Sequence, residues 1–147
     1  MPGSLPLNEP GLVARWRSLS FGDRARLLAL TLLLPLVDLS LRGLGLRRTQ
    51  QLLGLDRDEV DPPVAPEAAV AAQRLAQLAA IAGRHGLYLN TCLRQALAVQ
   101  WWLRRRGLPS QLRIGARRNG DTLDAHAWVE LGGLPLAQGP DLPPVFR

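Results

Sequence analysis

A single stretch, Asn90 to Gly107, most constrains the fold, because it contains the start, the apolar stripe and the end of one helix. Asn90 is a favoured N-cap residue, and Gly107 followed by Leu-Pro is typical of a helix end. Between them, apolar residues recur at helical spacing, at Leu93, Ala96, Leu97, Trp101 and Leu103. One face of this helix is therefore predicted to be buried, and its first turn carries the only cysteine, Cys92.

The position of Cys92 at a helix start indicates a reactive thiol. Free backbone N–H groups and the positive end of the helix dipole favour a thiolate there. A thiolate becomes a catalytic nucleophile when a histidine can exchange protons with it. His126 lies in Asp124–Leu131, whose alternating pattern predicts a β-strand. We therefore predict Cys92 as nucleophile and His126 as general base, with a buried structural cysteine and a structural histidine as the alternatives.

Composition excludes several classes of protein. One cysteine among 147 residues excludes an internal disulfide framework and fits a reducing cytosol, so a cytoplasmic location is expected, with membrane association left open. The net charge of +6 favours acidic peptides or anionic membranes as partners. The aromatic and basic pattern of a nucleic-acid-binding module is missing, so nucleic acid is not an expected partner. We expect neither a cofactor nor a metal: there is no phosphate-binding loop, and one cysteine with two histidines cannot form a closed zinc site without carboxylates.

The N-terminal half is rich in leucine and is predicted to be helical. Ser20–Asp23 has the spacing of a capping box at the helix start. The uncharged run 27–37 is shorter than the roughly 20 apolar residues needed to cross a bilayer. It is interpreted as a buried helix kinked at Pro35, or alternatively as a helix that docks on a membrane surface or on a partner. A short amphipathic helix is expected next, at 46–54.

Acidic residues and prolines in 56–66 indicate a linker. We therefore divide the chain into an N-terminal helical extension, 1–60, and a domain, 61–147. Pro66 is suited to the first position of a second helix, whose small apolar residues recur on one face. His85, near its end, is interpreted as an exposed residue favoured by the helix dipole.

The C-terminal part is predicted to be a small antiparallel sheet. Strands are expected at 110–117, 122–131 and 134–138. Asn119-Gly120 is a strong signal for a tight hairpin between the first two strands. Pro135 confines the third strand to an edge or a bulge. Helices followed by such a meander predict an α+β fold.

Four segments resemble one known family, the transglutaminase-like leader peptidases of lasso-peptide biosynthesis. They are Cys92-Leu-Arg-Gln-Ala-Leu-Ala, Trp102-Leu-Arg-Arg-Arg-Gly-Leu-Pro, Leu112-Arg-Ile-Gly and His126-Ala-Trp-Val-Glu, and the resemblance covers roughly residues 60 to 140. It implies a transglutaminase-like or papain-like cysteine protease core, with helices packed on a small antiparallel sheet behind an N-terminal helical extension. It also implies a stand-alone form without the fused leader-recognition domain of longer relatives.

The resemblance further implies a cysteine endopeptidase that removes the leader from a ribosomally made precursor. Cys92 would attack the scissile carbonyl, and His126 would take the thiol proton and later protonate the leaving amine. The implied partners are the precursor peptide, a small recognition protein that delivers the leader, and an ATP-dependent cyclase that closes the macrolactam. Water would then hydrolyse the thioester formed on Cys92. If an amine attacked this thioester in place of water, the reaction would be acyl transfer.

The third catalytic residue is where this chain departs from the family, which usually has an Asp on the following strand. Gln138 occupies that position, and Asp141 is the nearest later carboxylate. A longer loop at Gly132-Gly133 would set Gln138 opposite His126, whereas a tight turn would set it opposite the next residue, Ala127. Gln138 is preferred as the group that orients the imidazole, with Asp141 as the alternative.

Other residues of the His126 strand are interpreted as follows. Asp124 and Glu130 share the His126 side of the strand and are expected to face solvent. Trp128 is interpreted as core packing or as a wall of the substrate groove. The missing Asp also motivates a second functional hypothesis, a catalytically weakened scaffold that presents the precursor to the cyclase.

Overall fold

The computed structural model describes residues 17–57, 63–85 and 92–136. Their elements are α1 (Phe21–Leu52), α2 (Pro66–His85), α3 (Cys92–Arg105), β1 (Ser110–Asn119), β2 (Thr122–Leu131) and β3 (Leu134–Pro135). The helices pack against a small antiparallel sheet, which confirms the predicted α+β fold. The predicted helix cap Asn90 and the predicted site residues Gln138 and Asp141 lie outside the described residues.

Helix α1 begins at the residue that the sequence predicts, and its helical backbone is interrupted at one glycine. The Ser20 side chain accepts a hydrogen bond from the Asp23 backbone N–H at 3.2 Å, which caps the first turn. The only non-helical backbone within α1 is at Gly45, with φ 78° and ψ 171°. Glycine adopts this positive φ at little cost, so the chain turns at Gly45, directly before the separate short helix that the sequence predicts at 46–54. Pro35 lies within helical backbone, and a kink at Pro35 stays a prediction.

The main core lies between the three helices and the sheet. It contains Leu27, Leu30 and Leu34 from α1, Ala72, Leu75, Ala76, Leu78, Ala79 and Ala82 from α2, Ala96, Ala98, Val99 and Leu103 from α3, and Ala127, Val129 and Leu131 from β2. The alanines of α2 let neighbouring elements approach closely. Side chains on both sides of residue 60 share this core, and the division of the chain there stays a prediction.

The sheet has the order β1-β2-β3, and both turns within it are tight. Asn119 pairs with Thr122, so the hairpin loop is Gly120-Asp121, one position later than the predicted Asn-Gly. Gly120 supplies the positive φ, 62°, that such a loop needs. The second turn is the two-residue Gly132-Gly133, because Leu131 pairs with Leu134. Strand β3 lies at the edge of the sheet, as Pro135 requires.

Local contacts fix the C-terminal end of helix α3, and packing on the sheet places its first turn. Gly107 has φ 76° and the Leu108 N–H donates to the Leu103 carbonyl at 3.0 Å, the pattern of a Schellman C-cap. The Arg104 guanidinium donates to the Ser110 carbonyl, which joins the end of the helix to the start of β1. The buried face of α3 lies against β2, and this packing brings the first turn of α3 to the middle of that strand.

Candidate functional site

Cys92 is the first residue of α3 and is half-buried. Its Sγ accepts a hydrogen bond from the Ala127 backbone N–H, with an N–S distance of 3.3 Å. That N–H lies on the same edge of β2 as the Val129 carbonyl, which accepts from Leu136 N–H at 2.9 Å. A donor aimed at sulfur stabilises negative charge on it, because a charge-assisted hydrogen bond is stronger than a neutral one. The edge of β2 thus provides a fixed donor for the cysteine.

His126 immediately precedes the residue that contacts the sulfur. Cys92 and His126 both line one cavity of about 60 Å³, although they come from different elements. The rest of the lining consists of Ala76, Ala80, Gln95, Ala96, Val99, Ala127, Trp128, Val129 and Leu136. The structure therefore brings the two residues singled out in the sequence to a single site. Their catalytic roles stay a prediction.

The His126 ring is stacked on a neighbour that is itself held in place. The ring centroids of His126 and Trp128 are 5.9 Å apart and their planes are inclined by 23°. Gly115 faces His126 across the ladder and presents no side chain beside the imidazole. Trp128 is 2% exposed and also lines the cavity, so it belongs to both the core and the wall of the site.

Glu130 does not face solvent, contrary to the expectation from the sequence. Its carboxylate accepts hydrogen bonds from Trp128 Nε1 at 3.3 Å and from Arg113 Nε at 3.0 Å. Its side chain is only 17% exposed, because the pair with Arg113 across the ladder holds it against the sheet. Glu130 therefore orients the indole that stacks on His126.

The choice between Gln138 and Asp141 stays a prediction, since both lie outside the described residues. The turn that precedes them is the two-residue Gly132-Gly133. This is the alternative under which the sequence analysis sets Gln138 opposite Ala127 and not opposite His126.

Gln95 is a site residue that the sequence analysis did not single out. Its side chain lines the cavity and is half-buried. It follows Cys92 by three positions on the same helix, a spacing that puts two side chains on one face. That spacing is the sequence signal by which Gln95 could have been identified. It places the Gln95 amide on the face of the helix that carries the sulfur.

Arg94 and Asp38 were also missed as part of the site's framework. Arg94, in the first turn of α3, pairs with Asp38 of α1 at 2.6 Å, and their side chains are 13% and 5% exposed. Arg42 pairs with the same Asp38 oxygen at 3.0 Å but is 66% exposed. A cation in the first turn of a helix is opposed by the helix dipole, and the buried carboxylate offsets this. The pair therefore ties α1 to the turn that carries Cys92.

Metal chemistry gains no support from the described side chains. Among the side chains that the structure describes, which do not include those of His85 and Asp124, histidine, cysteine, aspartate and glutamate form no group of three or more that could hold a metal ion.

Comparison with known proteins gives one match. The sequence model of a family described as the transglutaminase-like superfamily matches residues 30–147. This range contains most of α1 and every later element that the structure describes. No curated protein and no solved structure matches the chain.

Proposed function

The chain belongs to the transglutaminase-like superfamily, which includes cysteine peptidases, and we propose that it is a cysteine endopeptidase that removes the leader of a lasso-peptide precursor. The single observation that carries the peptidase chemistry is the shared cavity of Cys92 and His126, with a backbone N–H directed at the sulfur. The four sequence segments that resemble lasso-peptide leader peptidases support the substrate class.

In the first step, His126 takes the thiol proton and Cys92 Sγ attacks the carbonyl carbon of the scissile peptide bond. As the tetrahedral intermediate collapses, the C–N bond breaks and the imidazolium gives its proton to the leaving amine. The core peptide departs with a free N-terminus, and the leader remains bound to Cys92 as a thioester.

In the second step, His126 takes a proton from water, which attacks the thioester carbonyl. The leader leaves with a C-terminal carboxylate and the thiol is restored. The freed amine of the core peptide is the nucleophile that an ATP-dependent cyclase needs to close a macrolactam. The expected partners are therefore the precursor, a small leader-recognition protein and that cyclase, in the cytoplasm.

The oxyanion of each tetrahedral intermediate needs hydrogen-bond donors. The Cys92 backbone N–H is one candidate, because the first N–H groups of a helix have no partner within the helix. The Gln95 amide is a second candidate, since it lines the cavity one turn from the sulfur. We expect Gln95→Glu to lower kcat about 100-fold with little change in KM, because it replaces a donor by a negative charge.

The proposal is tested by searching the genes beside its own for a precursor peptide and a leader-recognition protein, incubating the protein with both, and measuring the masses of the products. The wild type should release an intact leader and a core peptide, and the sum of their two masses should exceed the mass of the precursor by one water. Cys92→Ala and His126→Ala should each lower the rate at least about 1,000-fold. His85→Ala is the matched control, since His85 is the only other histidine, and it should cleave at the wild-type rate.

Two outcomes would contradict this function. A wild type that binds the precursor but never releases its leader would favour the scaffold alternative. A product heavier by an added amine would indicate acyl transfer instead of hydrolysis.

Nucleophile activation is tested without a substrate by the rate at which iodoacetamide alkylates Cys92. His126→Ala should slow this alkylation, because His126 is the histidine among the described side chains that line the cavity of the thiol. His85→Ala should leave the rate unchanged. Equal alkylation rates in all three proteins would remove His126 from the mechanism even if leader cleavage occurs.

The group that orients His126 is tested by the cleavage rates of Gln138→Ala and Asp141→Ala. The residue types favour Gln138, because an amide carbonyl accepts the imidazole N–H and holds its tautomer, whereas the two-residue turn at Gly132-Gly133, if the pairing continues, sets Gln138 opposite Ala127. We expect the larger loss from Gln138→Ala, which would show that Gln138 reaches the imidazole from that register. Loss with Asp141→Ala alone would reverse this assignment.

A further inference from the structure

Helix α1 has a second apolar face that the residues described by the structure leave uncovered. Its exposed members are Phe21, Leu28, Leu32, Leu36 and Leu39, which are 87%, 55%, 72%, 61% and 69% exposed. Their spacing puts them on one side of the helix, and the stripe they form, from 21 to 39, is about 27 Å long at 1.5 Å per residue. We call it the leucine stripe. An exposed apolar surface of this extent marks an interaction site more often than chance.

Arginines border the leucine stripe. Arg105 and Arg106 line a groove of about 560 Å³ between α1 and α3, together with Leu32 and Leu36 of the stripe. Their guanidinium groups lie over the rings of Trp101 and Trp102, at 5.0 and 5.9 Å from the centroids. Among residues 17–57, 63–85 and 92–136, neither arginine forms an ion pair with a carboxylate.

The carboxylates of the same helix do not oppose this positive charge at the surface. Asp23 and Asp38 are 14% and 5% exposed, and both are paired with arginines. Arg42, four residues after Asp38, is 66% exposed and falls on the other side of the stripe by its helical position. The leucine stripe therefore has exposed basic groups along both sides.

We propose that the leucine stripe and its arginines bind the surface of an anionic lipid bilayer, with α1 lying parallel to that surface. Leucine in contact with acyl chains and arginine in contact with lipid phosphates is the arrangement of an interfacial helix. A partner helix seated in the groove would cover Leu32 and Leu36 but not Leu28 or Leu39, which do not line it. A flat anionic surface contacts the whole stripe, with Arg105 and Arg106 on one side of it and Arg42 on the other.

The folded domain keeps α1 at the surface of the bilayer. By length and composition this helix of 32 residues could cross a membrane, with a mean hydropathy of 1.8 over its most apolar 18-residue window. However, Leu27, Leu30 and Leu34, on its other side, are core residues. Crossing the bilayer would remove them from the core, whereas binding at the surface leaves that packing intact.

The experiment is sedimentation of the full chain with vesicles of phosphatidylcholine, with and without phosphatidylglycerol. We expect binding to the anionic vesicles only, and weaker binding as salt rises. Replacing two arginines near the surface should lower the partition constant about thirtyfold, so Arg105→Gln with Arg106→Gln should show that loss. Leu32→Gln with Leu36→Gln should lower it at least about tenfold.

Matched control pairs test whether binding depends on this surface or only on the number of exposed arginines and leucines. Arg47→Gln with Arg48→Gln removes two other exposed arginines of α1, and Leu123→Gln with Leu134→Gln removes two leucines of the sheet that are 68% and 60% exposed. Each control pair should change the partition constant by less than about threefold. Circular dichroism should show that every variant stays folded, because all these side chains are at the surface.

Binding to neither type of vesicle would overturn the proposal, and so would equal binding to both. A loss in the control pairs as large as in the stripe variants would assign binding to another surface. If light scattering shows a wild-type dimer, a monomeric Leu32→Gln/Leu36→Gln variant and no vesicle binding, a second copy covers the stripe and the lipid proposal is wrong.

Discussion

Replacing Asp38 by Asn tests whether a buried ion pair holds the turn that carries Cys92. The substitution keeps the size of the side chain and removes its charge. It leaves the Arg94 guanidinium, whose side chain is 13% exposed, without the carboxylate that contacts it at 2.6 Å. The cation then lies near the positive end of α3, where the helix dipole also opposes it.

The expected cost follows from burial. Removing one partner of a buried ion pair costs about 3–5 kcal/mol, because the other charge stays desolvated. For a chain of this length, this corresponds to a fall in Tm of roughly 6–20 °C. Arg42 contacts the same Asp38 oxygen but is 66% exposed, so Arg42→Gln should cost less than about 1 kcal/mol.

The assay is urea denaturation followed by circular dichroism, with thermal melts as a second measurement. Asp38→Asn should lower the free energy of unfolding several times more than Arg42→Gln. The double variant Asp38→Leu with Arg94→Met removes both buried charges, so it should recover at least about 2 kcal/mol relative to Asp38→Asn.

The reasoning is refuted if Asp38→Asn costs no more than Arg42→Gln, because the buried pair would then add nothing beyond the exposed one. It is also refuted if the double variant is less stable than Asp38→Asn. The main effect would then be lost packing and not an unpaired charge.

The remaining predictions use the same denaturation assay. Leu30→Ala should cost about 2–5 kcal/mol, because Leu30 is fully buried, whereas Leu32→Ala, at a position 72% exposed, should cost less than about 0.5 kcal/mol. Gly107→Ala should cost about 1 kcal/mol, since φ is 76° there; no loss would mean that the cap relaxes. Ser20→Ala should cost about 1 kcal/mol through the lost N-cap bond. Trp128→Phe should cost about 1–3 kcal/mol because it removes the hydrogen bond from the buried indole to Glu130, which keeps only its bond from Arg113 among those described, and unchanged leader cleavage in this variant would show that the indole does not position His126.

The parts of the fold that depend on neighbouring residues could be predicted from the sequence. The N-cap at Ser20 and the end of α3 at Gly107 are formed by side chains and backbone groups a few positions apart. The β1–β2 hairpin was predicted to within one residue of its loop, because a glycine that supplies positive φ must lie in it. The break at Gly45 precedes the short helix predicted at 46–54, and it follows from a local property, because glycine adopts the positive φ found there.

The candidate site was predictable only as a pair of residue types. A cysteine at a helix start and a histidine on a strand are visible in the sequence, but the Ala127 N–H that contacts the sulfur is not. Glu130 was expected in solvent because the sequence does not reveal that Arg113, which faces Trp128 on the neighbouring strand, reaches the Glu130 carboxylate.

The sequence by itself determined the identity and limits of most elements and the residues that could react, because these depend on short-range hydrogen bonds and periodicity. Only the tertiary structure decided which of the two leucine-rich sides of α1 is buried, since both are apolar and the choice depends on the shape of α2 and α3. The same holds for the pairing of Asp38 with Arg94. This ion pair forms because the fold brings together and buries two residues that are distant in the chain.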